Sequence, residues 1–197
     1  MKVKAALDRL VSAIKKTYPQ YAMPETITGL PQEEIDQLYV SLPFASDELE
    51  ELFAIYDFAC VNLFPPYYLA APDEMAATID TQIVYYDEVE EMMDRDRVGW
   101  VSSTHNVCKT DQSWRNKWIP LGTYQKDTIF LDMDPAEGGV AGQVVASHER
   151  KQTLELLGYS LAHWMERIAN HLENEKPGKR YACSIESEIE APEERPA

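Results

Sequence analysis

The stretch from Trp118 to Ala146 constrains the fold most tightly. It reads W-I-P-L-G-T-Y-Q-K-D-T-I-F-L-D-M-D-P-A-E-G-G-V-A-G-Q-V-V-A. Three short apolar runs, Trp118 to Leu121, Thr128 to Leu131 and Gln143 to Ala146, alternate with turn-rich segments. Runs of that length separated by Gly, Pro and Asp predict consecutive strands joined by tight connections.

Helical periods surround this strand block. Val3, Ala6, Leu7, Leu10, Val11 and Ile14 predict an amphipathic helix over about residues 2–17. Tyr18-Pro19 and then Pro24 end it. A second helix begins near Pro31, with Glu33 and Glu34 at the positive end of its dipole, and stops by Pro43. A third starts after Ser46 or Asp47, where Asp47 and Glu50 have the spacing of a capping box. Its buried stripe is Leu49, Leu52, Phe53 and Tyr56. The apolar run Phe58 to Leu69, broken by Pro65-Pro66, suits one or two irregular strands. Pro72-Asp73-Glu74 opens a long helix that places Met75, Ile79, Ile83, Tyr86, Val89 and Met93 on one face. Val98 to Val101 reads as a further strand, and 105–116 as a polar loop. Ser160 caps a closing helix with Leu161, Trp164, Ile168 and Leu172 in register. Helices, then strands, then a helix predict an α+β domain over residues 1–172, with helices on one face of a mostly antiparallel mixed sheet. Residues 173–197 form a polar acidic tail, disordered over Ala191 to Ala197.

Charge narrows the function classes. The formal net charge is −16, from 34 acidic and 18 basic residues. Residues 173–197 hold seven acidic and four basic side chains, so −13 belongs to residues 1–172. Such a surface repels nucleic acid and anionic lipid and attracts basic partners, although acidity also simply maintains solubility. No apolar run has the length of a membrane span, and charges interrupt any apolar core of a leader at the N-terminus. Cys60, Cys108 and Cys183 are odd in number and lack a C-x-x-C pair, which points to reduced thiols and a cytoplasmic setting.

The motifs that invite chemistry have simpler readings. Asp132 and Asp134 form a D-x-D that suits a divalent metal or a shared proton, yet Pro135 follows at once, and a strand-end turn with aspartates bonded to backbone amides accounts for them. His105 and Cys108 make an isolated H-x-x-C without the four ligands of a zinc site. His163 and His171 are two turns apart on the closing helix and read as solvated or core-edge residues. Ser102, Ser103 and Ser147, near His105 and His148, lack a nucleophile elbow. Gly138-Gly139-Val140-Ala141-Gly142 lacks the Lys-Ser/Thr of a phosphate loop and reads as a hairpin connection. No catalytic set, metal site or cofactor is expected. Aromatic residues offer interface anchors instead: Trp114, Tyr124, Tyr67 and Tyr68 lie around the strand segments, and Trp114, beside Arg115 and Lys117, is the one expected to be most exposed. Trp100 and Trp118 fall in predicted strands, where core burial and exposure both remain open.

Four segments together resemble the SUKH superfamily, the group around the Smi/Knr cell-wall regulators and many bacterial toxin-immunity proteins. Gly29-Leu30-Pro31 through Leu42-Pro43 resembles the family's opening helix, and Trp118-Ile119-Pro120-Leu121-Gly122 its central strand motif. Leu131-Asp132-Met133-Asp134-Pro135 and Gly142-Gln143-Val144-Val145 are similar to the next strand end and the strand that follows. Tyr159-Ser160-Leu161 through Leu172 is similar to the closing helix. The resemblance implies a domain that binds another protein and performs no chemistry: an immunity protein that occludes a basic toxin domain, such as a nuclease, or a regulatory scaffold. A metal-dependent hydrolase built on Asp132 and Asp134 is the remote alternative. Asp132, Asp134, Trp114, Tyr124, Tyr67 and Tyr68 are the candidate contact residues.

Overall fold

The computed structural model describes residues 2–42, 45–57, 61–65, 67–72, 74–82 and 99–174. Its elements follow from the sequence period by period. The first helix, α1 (Lys2–Thr17), buries Val3, Ala6, Leu7, Leu10 and Ile14 along one stripe. The second, α2 (Gln32–Ser41), buries Ile35. Ser46 begins α3 (Asp47–Ile55): its hydroxyl accepts from the Leu49 amide at 3.2 Å. The cap is therefore Ser46 and not an Asp47–Glu50 box, since Glu50 instead accepts from the Tyr39 hydroxyl at 3.0 Å. The expected stripe Leu49, Leu52, Phe53 and Tyr56 is buried throughout.

Four strands form a continuous antiparallel meander: β3 (Trp118–Tyr124), β4 (Asp127–Asp132), β5 (Gln143–His148) and β6 (Thr153–Gly158). Two-residue strands border it. β1 (Tyr68–Leu69) runs antiparallel to β3, and β2 (Ser102–Ser103) parallel to β6, giving the order β1-β3-β4-β5-β6-β2. The fold is α+β with a mostly antiparallel mixed sheet and flanking helices. All three strands predicted within Trp118–Ala146 are present. In contrast, the run Phe58 to Leu69 contributes only β1 among its described residues, and the strand expected at Val98 to Val101 is displaced to Ser102–Ser103. Residues 74–82 are helical (α4) and bury Met75 and Ile79, while Ile83, Tyr86, Val89 and Met93 lie outside the described residues, as does the tail from 175 onward. The closing helix is α5 (Leu161–Asn174), whose Ser160 hydroxyl accepts from the His163 amide at 3.2 Å.

Alternation along the strands sends their side chains to two different cores. Ile119, Leu121, Ile129, Leu131, Val144 and Ala146 face α1, α3 and α5, where α1 packs chiefly on α5. Trp118, Phe130, Val145, Leu154 and Leu156 point the other way. There the segment 99–117 folds over them and supplies Trp100, Val107, Cys108 and Trp114. Trp118 stacks on Phe130 with ring centres 4.4 Å apart, and Trp114 meets both rings edge-on. Each aromatic pair contributes about 0.5–1.5 kcal/mol beyond its buried area.

Candidate functional site

Sheet register brings three polar side chains into one row. Trp118 pairs with Asp132 across β3 and β4, and Asp132 pairs with Gln143 across β4 and β5. Asp132 is fully buried and uses both carboxylate oxygens. Oδ1 accepts from Trp118 Nε1 at 3.1 Å and from the Asp134 amide at 3.0 Å, and Oδ2 accepts from Gln143 Nε2 at 3.1 Å. Gln143 Nε2 also reaches the Val107 carbonyl (3.1 Å) and Cys108 Sγ (3.4 Å), while its Oε1 accepts from the Val140 amide. The row thus fastens the 99–117 segment and the β4–β5 connection to the end of the sheet. Burial pushes the Asp132 carboxyl above the usual range against the pull of these donors. Burial, followed by the nearby Asp132, raises the Cys108 thiol strongly as well.

Asp134 goes elsewhere. It lies past the strand end, partly exposed, and pairs with Lys109 at 2.7 Å and Arg115 at 3.6 Å. The Lys109 bond holds its carboxyl below the ordinary carboxylate range. Arg115 also bridges to Asp111. The two aspartates of the D-x-D therefore do not converge. The amide bond expected of them is present at Asp132, which accepts from the Asp134 N–H, whereas the Asp134 carboxylate meets two cations instead. Among the described residues no group of three or more His, Cys, Asp or Glu is placed to hold a metal.

The aromatic candidates divide. Trp114, expected to be the most exposed, is only 8% exposed because its polar loop folds back onto the sheet. Its Nε1, like Arg115 Nε, is buried without a hydrogen-bond partner among the described residues. Tyr67 is buried and meets Tyr124 edge-on at 6.0 Å. Tyr68 is 74% exposed and Tyr124 40%. So Tyr67, Tyr68 and Tyr124 do come together, at the corner of β1 and the β3–β4 hairpin, whereas Trp114 and Asp132 belong to the second core. From Tyr68 a groove of about 570 Å³ runs between β1 and α4, floored by Pro120, Gly122 and Thr123.

Two features were not recognised from sequence. Residues 17–94 contain 17 acidic side chains and not one Lys or Arg, and among the described residues α2, α3 and α4 carry nine of these acids. A count by segment reveals it where the whole-chain total does not. The second is His148, buried at the end of β5 between two carboxylates: Nε2 is 2.8 Å from Glu155 and Nδ1 3.4 Å from Asp127. The Glu155 bond raises its pKa above the ordinary imidazole value. Both ring nitrogens are occupied, so the group clamps β4, β5 and β6 together.

The remaining motifs have structural roles. Ser147 exchanges bonds with the Thr128 backbone, and Ser103 with that of Cys108. His163 Nδ1 accepts from the Tyr159 amide. Gly142 takes φ +86° in the β4–β5 connection, which is no helix N-terminus. No helix among the described residues is long and apolar enough to cross a membrane. Comparison of the chain with known protein families and with curated proteins finds no match.

Proposed function

We propose that this chain is a non-enzymatic, cytoplasmic protein-binding domain of the SUKH type, and that it neutralises a secreted toxin by direct contact with a basic toxin domain. The observation that carries this reading is the uniform sign of charge in the sequence 17–94, which includes β1 and α4, together with the exposure of Tyr68 and Tyr124. A surface of one sign steers an oppositely charged partner, and a few exposed aromatic side chains anchor the complex once formed. The saturated, buried Asp132 and the ion-paired Asp134 weigh against the hydrolase alternative.

The test is a survey of the genes beside this one for a toxin domain, a growth-rescue assay against any such domain, and association kinetics of the purified pair. The chain is expected to restore growth, and raising NaCl from about 50 to about 500 mM should slow association by about tenfold or more. An on-rate indifferent to salt would remove the electrostatic mechanism. A gene neighbourhood without a toxin, combined with binding to several cellular proteins, would favour the regulatory-scaffold role instead.

A further inference from the structure

The groove between β1 and α4 has features that identify its occupant. β1 ends the sheet, and among the described residues no strand lies beyond it. The Ala70 amide bonds to the Leu121 carbonyl, so by the alternation of an extended chain the N–H and C=O of Leu69 point away from β3 toward the groove. The opposite wall is helical and presents the small side chains Ala77, Thr78 and Thr81. The floor includes Gly122, which has no side chain, and Pro120, which has no N–H. An edge strand facing a helix across a slot lined by small residues admits an extended peptide better than a helix. The charge then sets the sequence of that peptide. Glu74 is the one charged side chain lining the slot among the described residues, and no Lys or Arg occurs anywhere in the sequence from 17 to 94 to offset it from β1 or α4.

We propose that this groove receives an extended, lysine- or arginine-bearing segment of the protein partner, laid along the β1 edge with Tyr68 at its mouth. The proposal rests on the protein-binding reading above and specifies where the partner docks. A second copy of this chain is a poorer occupant, because it would bring a second anionic Glu74 to the slot and, with a net charge of −16 on each chain, supply no excess of cations to meet it.

The test uses the full chain and a fluorescent peptide of about twelve residues with Lys alternating with Val, the side-chain period of a strand. Its counterpart has Glu in place of Lys. The basic peptide should bind, with affinity falling as NaCl rises, and should protect the Leu69 amide from hydrogen exchange. The acidic peptide should not bind. Ala77→Arg places bulk and positive charge in the slot at an exposed helical position and should weaken binding by about tenfold or more without lowering the melting temperature. Tyr68→Ser, at a solvent-facing ring, is the second variant and should weaken binding without affecting folding. Absence of binding by the basic peptide, equal binding of both peptides, protection elsewhere, or full affinity in both variants would overturn the proposal. So would a dimer of the chain that Ala77→Arg dissociates. If the basic toxin domain binds wild type and both variants equally well, the groove is excluded while the protein-binding reading stands. If no basic protein binds the wild-type chain, both fall.

Discussion

The two faces of the sheet are built by different means from the same strands. On the helical face, Ile129 and Leu131 enter an apolar layer closed by α1, α3 and α5, and regular helices with their own internal hydrogen bonds supply the cover. On the other face, Phe130 and Trp118 are covered by a segment that contains only a two-residue strand and one short 3-10 turn. Such a segment satisfies only part of its backbone internally, as in the Trp100–Thr110 bond, and the rest must be tied down. The row Trp118–Asp132–Gln143 does this by holding Val107, Cys108 and the Asp134 amide to the sheet end. One face relies on area and the other on area plus a closed polar network.

Adjacent residues of β4 allow the sharpest comparison. Phe130→Ala is expected to cost about 3–5 kcal/mol and Leu131→Ala about 2–5 kcal/mol, both by cavity formation. The global losses overlap, but the local ones differ. Phe130→Ala should release the 99–117 segment, with loss of the near-UV tryptophan signal and faster exchange of the Trp100 amide, which bonds to Thr110. Leu131→Ala should leave that signal in place and speed exchange in α1 and α5. If both variants loosened the loop equally, the two cores would be one cooperative layer.

Asp132 tests whether the network itself, and not only the rings, secures the loop. Asp132→Ala strands the Trp118 indole, the Gln143 amide and the Asp134 N–H, and the cost is about 1–3 kcal/mol for each buried donor that finds no new partner. Asp132→Asn keeps one acceptor oxygen but turns an NH2 toward Gln143, so it should fall between Ala and wild type in chemical denaturation. Its pH behaviour should differ as well. The folded-state pKa of Asp132 is raised, so wild-type stability attributable to it declines as pH rises from the unfolded carboxylate range through the folded pKa. The Asn variant should lack that decline.

The parts of this organisation that were legible in the sequence are the local ones. Periods of two and of 3.6 lie within single segments, which is why the three strands, α1, α3 and α5 could be read directly. β6 was missed because T-L-E-L-L-G follows the charged turn H-E-R-K-Q and blends into the apolar start of α5. β2 is two residues held by parallel pairing to a strand about fifty positions away, and no local pattern encodes that. Trp114 has the neighbours of an exposed loop residue, and it is in a loop. Its burial follows from where that loop lands. The amide-bonded turn was legible at Asp132, but the Asp134 pairing with Lys109 depends on where the 99–117 segment lands, and the Asp132–Gln143 contact on strand register, which aligns residues eleven apart.

Ser46→Ala is the smaller perturbation of the helical face. It removes the bond to the Leu49 amide at the start of α3 and should cost about 1 kcal/mol in denaturant unfolding. The tryptophan signal of the opposite face should remain unchanged.

The smallest expected effect concerns the rim of the helical face. By strand alternation His148, Asp127 and Glu155 share the side of Ile129 and Leu157, at the hairpin end of the sheet and opposite the end closed by Asp132. Here the carboxylates are partly exposed while the imidazole is buried, the reverse of the other end, where the carboxylate itself is buried. The folded-state pKa of His148 is raised, first through the Glu155 bond. In acid, down to the carboxylate range, the imidazolium exists in both folded and unfolded chains and its clamp contributes fully. As pH rises through the raised folded-state value, the proton and the contribution are lost together. His148→Gln should therefore lower the melting temperature more at pH 6 than at pH 9, and wild type and variant should converge in alkali. A gap independent of pH would mean that the ring acts by packing alone, and the rim would then hold the three strands by shape, as the Trp118–Phe130 stack does on the other side.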